Sequence, residues 1–125
     1  MTTWLAIAAG GAAGALARAG LMNLVASMLG SRLPWGTLLV NISGSLLIGL
    51  LYVLVSEKLL LSGEARALLV VGFLGAFTTF STFSLDTVLL IQQGWLLQAL
   101  AYMLTSVTIC VLATWLGMAL ARLLA

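Results

Sequence analysis

Polar residues are rare along this chain, and they fall in clusters that divide it into four long apolar stretches. The first runs from about residue 3 to 28, interrupted only by Arg18 and Asn23, and stops at Gly30-Ser31-Arg32-Leu33-Pro34. Glycine ends helices and proline suits the start of the next, so this cluster predicts a turn between two helices. The second stretch covers about residues 35–55, roughly 32 Å at 1.5 Å per residue, which is enough to cross a bilayer. Ser56-Glu57-Lys58 and Ser62-Gly63-Glu64 then mark a polar connection. The third stretch covers about 65–91, Gln92-Gln93-Gly94 makes the last turn, and the fourth covers about 95–124. The expected fold is an all-α membrane protein of four transmembrane helices, forming a single domain over residues 1–125.

The third stretch differs from the others. Residues 78–84 read Thr-Thr-Phe-Ser-Thr-Phe-Ser, preceded by Gly72 and Gly75. Hydroxyl side chains compete with a helix for its own backbone hydrogen bonds, so this density predicts a break near 75–80.

Composition strengthens the membrane reading. Of 125 residues 63% are hydrophobic and 6% charged, against about a quarter charged in a soluble domain. A net charge of +2 with no basic stripe gives nucleic acid nothing to bind. The absence of histidine removes the commonest metal ligand and general base. The lone Cys110 cannot form an internal disulfide. The first apolar run lacks a basic leader and is too long for a signal peptide, so it reads as a span. Four spans put both ends of the chain on the side of Lys58, Arg66 and Arg122, against Arg32 on the other. A bias that small suits insertion in both orientations.

Lipid rejects polar side chains, so those that remain carry information. Thr37, Asn41, Ser45 and Gly49 follow at i+4 steps on the second helix, and Tyr102, Ser106, Cys110 and Thr114 on the fourth. Small residues also let membrane helices approach closely. That packing reading is the better one for Gly10 and Gly14, and it stands level with a polar track for the fourth-helix stripe. Phe80 and Phe83, on spacing alone, read as lipid-facing or core aromatics. Asn41 reads either as interhelical glue or as a donor to a ligand. Taken together, the mid-span groups are mostly hydrogen-bond donors, with Arg18 nearby and no carboxylate closer to mid-span than Asp86. Such a set solvates an anion, helped by the positive edges of aromatic rings. Four helices pack into a filled bundle, so a pathway is expected between subunits, in a dimer or larger assembly.

Thr37-Leu-Leu-Val-Asn41 with Gly44, and Gly72-Phe-Leu-Gly75-Ala-Phe-Thr78-Thr79-Phe80-Ser81-Thr82-Phe83-Ser84, resemble the Fluc (CrcB) family of microbial fluoride channels. The likeness extends over the whole chain. It implies an antiparallel, dual-topology homodimer in the cell (inner) membrane, with two fluoride pathways along the subunit interfaces and no enzymatic activity. By position it implies that Phe80 and Phe83 meet fluoride edge-on and that Asn41 donates to it. Tyr102, Ser106 and Thr114 would form the polar track, joined by Ser81 and Thr82. Arg18 would support the vestibule. The carbonyls of Gly75 and Thr78 from both subunits would hold a structural sodium ion (Na+) at the dimer centre. Two positions depart from the family pattern: Cys110 stands where serine is frequent, and Asp86 where glutamate is. The function so implied is passive fluoride export. The alternative is a small dual-topology multidrug/proton exchanger, for which the first helix lacks the needed glutamate and carries Arg18 instead. A non-conducting structural subunit is a further rival.

Overall fold

The computed structural model describes residues 2–124; Met1 and Ala125, the ends of the expected 1–125 domain, lie outside the described residues. Four helical spans are long and apolar enough to cross a membrane: Thr2–Leu29, Trp35–Glu57, Gly63–Gln92 and Leu96–Leu124. They are called the first to fourth spans below. Each lies within a few residues of the stretch read from the sequence, and the differences have local causes. The second span reaches Glu57 because its last turn widens into a π-helix, Val53–Glu57. The third begins early because Ser62 caps it, its hydroxyl accepting the Ala65 N–H at 3.1 Å. Gly30 at φ +81° and Gly94 at φ +82° terminate the first and third spans in the left-handed conformation that favours glycine.

The spans pack in two close pairs. The first lies along the opening half of the third, and the second lies along the fourth. Glycine makes both seams possible. A Cβ on Gly10 or Gly14 would run into the backbone carbonyls of Leu68 and Phe73, and one on Gly72 would stand 2.6 Å from the Ile7 carbonyl. In the other seam, a Cβ on Gly49 would meet the carbonyl of Thr114, and one on Gly117 that of Leu46. With no water to expel from lipid, such close backbone approach is a main source of helix association. Across the first seam the third span is wound as a π-helix over Ala67–Leu74. Wide turns of this kind cluster at functional sites.

Polar ties close the two ends. On one side Arg122 makes a bidentate ion pair with Glu57, Nε to Oε1 at 3.0 Å and Nη2 to Oε2 at 2.6 Å. On the same side the Thr3 hydroxyl donates to Glu64 at 3.0 Å. On the opposite side the Arg32 guanidinium lies 4.9 Å from the centre of the Trp95 ring, a cation–π contact. Most of the remaining surface is apolar. Leu16, Leu104 and Trp115 are among many large side chains turned outward, which is stable in lipid and untenable in water.

Candidate ion pathway

The third span leaves helical geometry at two residues. Leu74 still accepts the Thr78 N–H at 3.1 Å and the Thr78 hydroxyl at 3.0 Å. Thr78 (φ −85°, ψ 157°) and Thr79 (φ −150°, ψ 115°) are then extended, and the α-helix resumes as Phe80–Gln92. Thr79 restarts it as an N-cap: its hydroxyl accepts the Thr82 N–H at 3.2 Å and donates to the Thr82 hydroxyl at 3.0 Å.

Breaking a helix inside a membrane frees backbone groups that must find partners. Side chains from two other spans supply them. Asn41 grips Thr79 with both ends of its amide, Oδ1 accepting the Thr79 N–H at 2.8 Å and Nδ2 donating to the Thr79 carbonyl at 3.0 Å. One N–H of the Asn41 amide is left over. Arg18 Nε donates to the Ala76 carbonyl at 2.9 Å. Gly44 gives the segment room, since a Cβ there would overlap the Thr78 methyl group. Among the described residues, the carbonyls of Gly75 and Thr78 receive no hydrogen bond from the extended segment or its neighbours. They are oxygens with free lone pairs, and Gly75 lies on the exposed face of this chain.

Beside the extended segment lies an open groove of about 510 Å³ between the second, third and fourth spans. Asn41, Gly44, Ser45, Gly75, Thr78, Thr79, Phe80, Phe83, Ser106 and Cys110 contribute to its lining, with aliphatic walls from Ile48, Val70, Leu74, Val107 and Val111. Phe80 is 77% exposed. Its ring centre is 5.4 Å from that of Phe83, tilted at 53°, and Phe83 in turn is 5.1 Å from Tyr102, tilted at 52°. Tilted pairs turn ring edges toward a neighbour's face and leave other edges free.

The structure thus gathers Asn41, Phe80, Phe83, Ser106, Gly75 and Thr78 at one groove. Ser81 and Thr82 stand next to it, with the Ser81 and Thr82 hydroxyls 3.4 Å and 3.0 Å from that of Thr79. Tyr102 is buried behind Phe83, and its hydroxyl donates to Asp86 at 3.1 Å. Ser106 is buried and its hydroxyl has no partner among the described residues. Thr114 is turned away: its hydroxyl donates to the Ser45 carbonyl at 2.9 Å, on the seam between the second and fourth spans. Arg18 touches the back of the break through Ala76 rather than the groove lining. Two contributors were not singled out from the sequence as site residues, Thr79 and Gly44, and Ser45 was read only as part of the second-helix stripe. Thr79 carried a usable signal, because a threonine immediately before the first apolar residue of a helix, here Phe80, is an N-cap pattern.

Residues 5–118, which take in most of each span and the extended segment, match the family model described as CrcB-like protein, Camphor Resistance (CrcB). The chain belongs to the CrcB family. Relatives in this family carry the name fluoride-specific ion channel FluC. One from Magnetococcus marinus is 51% identical over 121 residues, covering 97% of each chain. One from Hahella chejuensis is 51% identical over 118 residues, covering 94% of this chain and 93% of the relative. One from Methylococcus capsulatus is 52% identical over 120 residues, and there the match covers 96% of this chain but 53% of the relative's length. As a CrcB protein with four apolar spans, the chain is a multi-pass membrane protein, in bacteria one of the inner membrane.

Proposed function

We propose that this chain is one subunit of a passive, fluoride-selective channel, built as an antiparallel dual-topology homodimer with a pathway along each side of the subunit interface. The observation that carries this reading is its identity of about one half, over 97% of both chains, to a protein named fluoride-specific ion channel FluC. The groove supplies the physical rationale. Its polar side chains are an amide, hydroxyls and the Cys110 thiol, and its apolar rim includes two phenylalanines with free edges. A groove open along one chain, with Phe80 standing out of it, suits closure by a second copy.

Fluoride holds water strongly, so each step must replace hydration with donors while binding weakly enough to release. In this reading Asn41 offers its remaining amide N–H, Phe80 and Phe83 offer ring edges, and Ser106 offers an uncommitted hydroxyl. Ser81 and Thr82 add hydroxyls at one side of the segment. Tyr102 lies further along the track, poised by Asp86, while the Thr114 hydroxyl is held by Ser45 and takes part only if that bond opens. Arg18 fixes the break and adds positive charge behind it. A membrane potential negative inside favours exit of the anion by about 2.3 kcal/mol per 100 mV, so export needs no further energy source.

The family resemblance also implies a structural sodium ion, and the residues fit one. The Gly75 and Thr78 carbonyls are oxygen donors without N–H partners, the kind of ligand a hard cation takes. Two from each subunit would give four oxygens, and a cation held there would add fixed positive charge near the anion path.

The test is fluoride efflux from liposomes containing the purified protein, measured with a fluoride electrode beside a chloride control. Rapid fluoride release with the chloride gradient retained is the expected result. Vesicles that hold both ions would overturn the proposal.

A further inference from the structure

A second cavity, of about 200 Å³, lies near the opposite end of the second span from Glu57. Its wall is mainly apolar, with Leu33, Pro34, Leu38 and Ala101, and it also takes in Gln98, Tyr102 and Thr105. This is smaller than the roughly 300–1,000 Å³ of a typical small-molecule site, and its shape and chemistry suit a stretch of hydrocarbon chain. Immediately before Leu33 stands Arg32, exposed and stacked on Trp95. Arg32 makes no ion pair among the described residues, and no other charged residue lies in the turns 30–34 and 92–95. The nearest carboxylate on these elements, Asp86, is occupied by Tyr102. The second span adds to the positive character of this end, since the N–H groups of Gly36 and Thr37 in its first turn have no partner among the described residues and Pro34 offers no capping side chain.

We infer that this end of the protein binds an anionic glycerophospholipid, with one acyl chain in the Leu38–Ala101 cavity and its headgroup against Arg32. The membrane that surrounds the chain supplies such a molecule at the right depth. Trp35 and Trp95 mark the interface, because tryptophan concentrates where headgroups meet hydrocarbon. An unpaired arginine held flat by an aromatic ring keeps its donors turned to the headgroup phosphate at little further entropic cost. The cavity borders the proposed ion pathway at Tyr102, but lipid retention is read independently of whether fluoride passes.

Native mass spectrometry of the full-length protein in mild detergent tests it, with phosphatidylglycerol and phosphatidylcholine of identical acyl chains added at matched concentrations. Phosphatidylglycerol should be retained about fivefold more than phosphatidylcholine, the factor expected for one basic residue against an anionic lipid. Arg32→Gln should bring the two lipids level. Ala101→Phe, a change at an exposed position that fills the cavity, should lower retention of both. Equal retention of the two lipids by the unaltered protein overturns the proposal, as does a preference that survives Arg32→Gln or retention that ignores Ala101→Phe. Circular dichroism confirms that each variant is folded. If Arg32→Gln does not fold, the lipid preference of the unaltered protein together with Ala101→Phe decides the matter.

Discussion

The seam between the first and third spans and the groove beside Thr78 and Thr79 are both built from small residues, and they do opposite things. In the seam Gly10, Gly14 and Gly72 bring two backbones into contact, leaving no space between them. At the groove Gly44 likewise makes room, but what enters is a stretch of extended chain with its own polar groups. Small residues alone therefore do not distinguish packing from a pathway. The difference lies in whether the neighbouring backbone keeps its helical hydrogen bonds. Along the seam it does, in π form. At Thr78 and Thr79 it does not, and Asn41 and Arg18 take over part of the accounting while the Gly75 and Thr78 carbonyls are left over.

The harshest way to break this contrast is to put a side chain into the seam. Gly14→Leu drives a branched side chain into the Phe73 backbone, with no flexible group to yield. Overpacking typically costs about 1–3 kcal/mol, and a backbone clash belongs at or beyond the top of that range. The expected outcome is loss of monodisperse protein on gel filtration. A well-behaved Gly14→Leu would mean that the first and third spans are not packed as described.

A change at the groove should act on conduction instead. Asn41→Asp keeps the acceptor for the Thr79 N–H but loses the donor to the Thr79 carbonyl and places a negative charge beside the proposed anion path. Fluoride efflux should fall by about 100-fold or more, in keeping with a penalty of about 2.7 kcal/mol, while the protein remains folded. Phe80→Ala should be milder. The ring is mostly exposed, so melting temperature should barely move, and efflux should fall about tenfold through loss of one ring-edge contact. If flux is unchanged in Phe80→Ala while Asn41→Asp is silent, the groove is a backbone support rather than a passage. If only Asn41→Asp is silent, the amide serves the fold alone.

The four spans were legible in the sequence because lipid allows little freedom: a helix must be apolar over its length, and polar clusters can stand only at its ends. The density of hydroxyls at 78–84 also marked the segment that leaves helical geometry. Less could be read of how that segment is held. The grip of Asn41 on Thr79 joins residues 38 apart in sequence, and nothing local announces it. The π winding of Ala67–Leu74 lies where the third span packs on the first, and its own sequence, an ordinary apolar run, does not show it. Arg18 was legible as an unusual charge in a span, yet its partner is a main-chain carbonyl, which carries no sequence signature.

The fourth-span stripe shows the same limit in a form that can be measured. Tyr102, Ser106, Cys110 and Thr114 recur at i+4, which reads as a single face. An α-helix turns about 100° per residue, so each step of four drifts by about 40° and the three steps together by about 120°. That drift takes Thr114 out of the groove and onto the second span, where its hydroxyl bonds the Ser45 carbonyl, while Ser106 stays in the groove lining, its hydroxyl buried and without a partner among the described residues. The two hydroxyls should therefore respond differently to removal. Ser106→Ala should lower fluoride efflux by several-fold with little change in stability, because its hydroxyl bonds none of the described residues. Thr114→Val should cost about 0.6 kcal/mol of stability, the average for an interhelical hydrogen bond in a membrane, and leave efflux within about twofold. Efflux from liposomes and thermal unfolding in detergent, measured on both variants, decide the assignment. A Thr114→Val channel slower than Ser106→Ala would place the conducting face of the fourth span on the second-span side, and the groove would then not be the path.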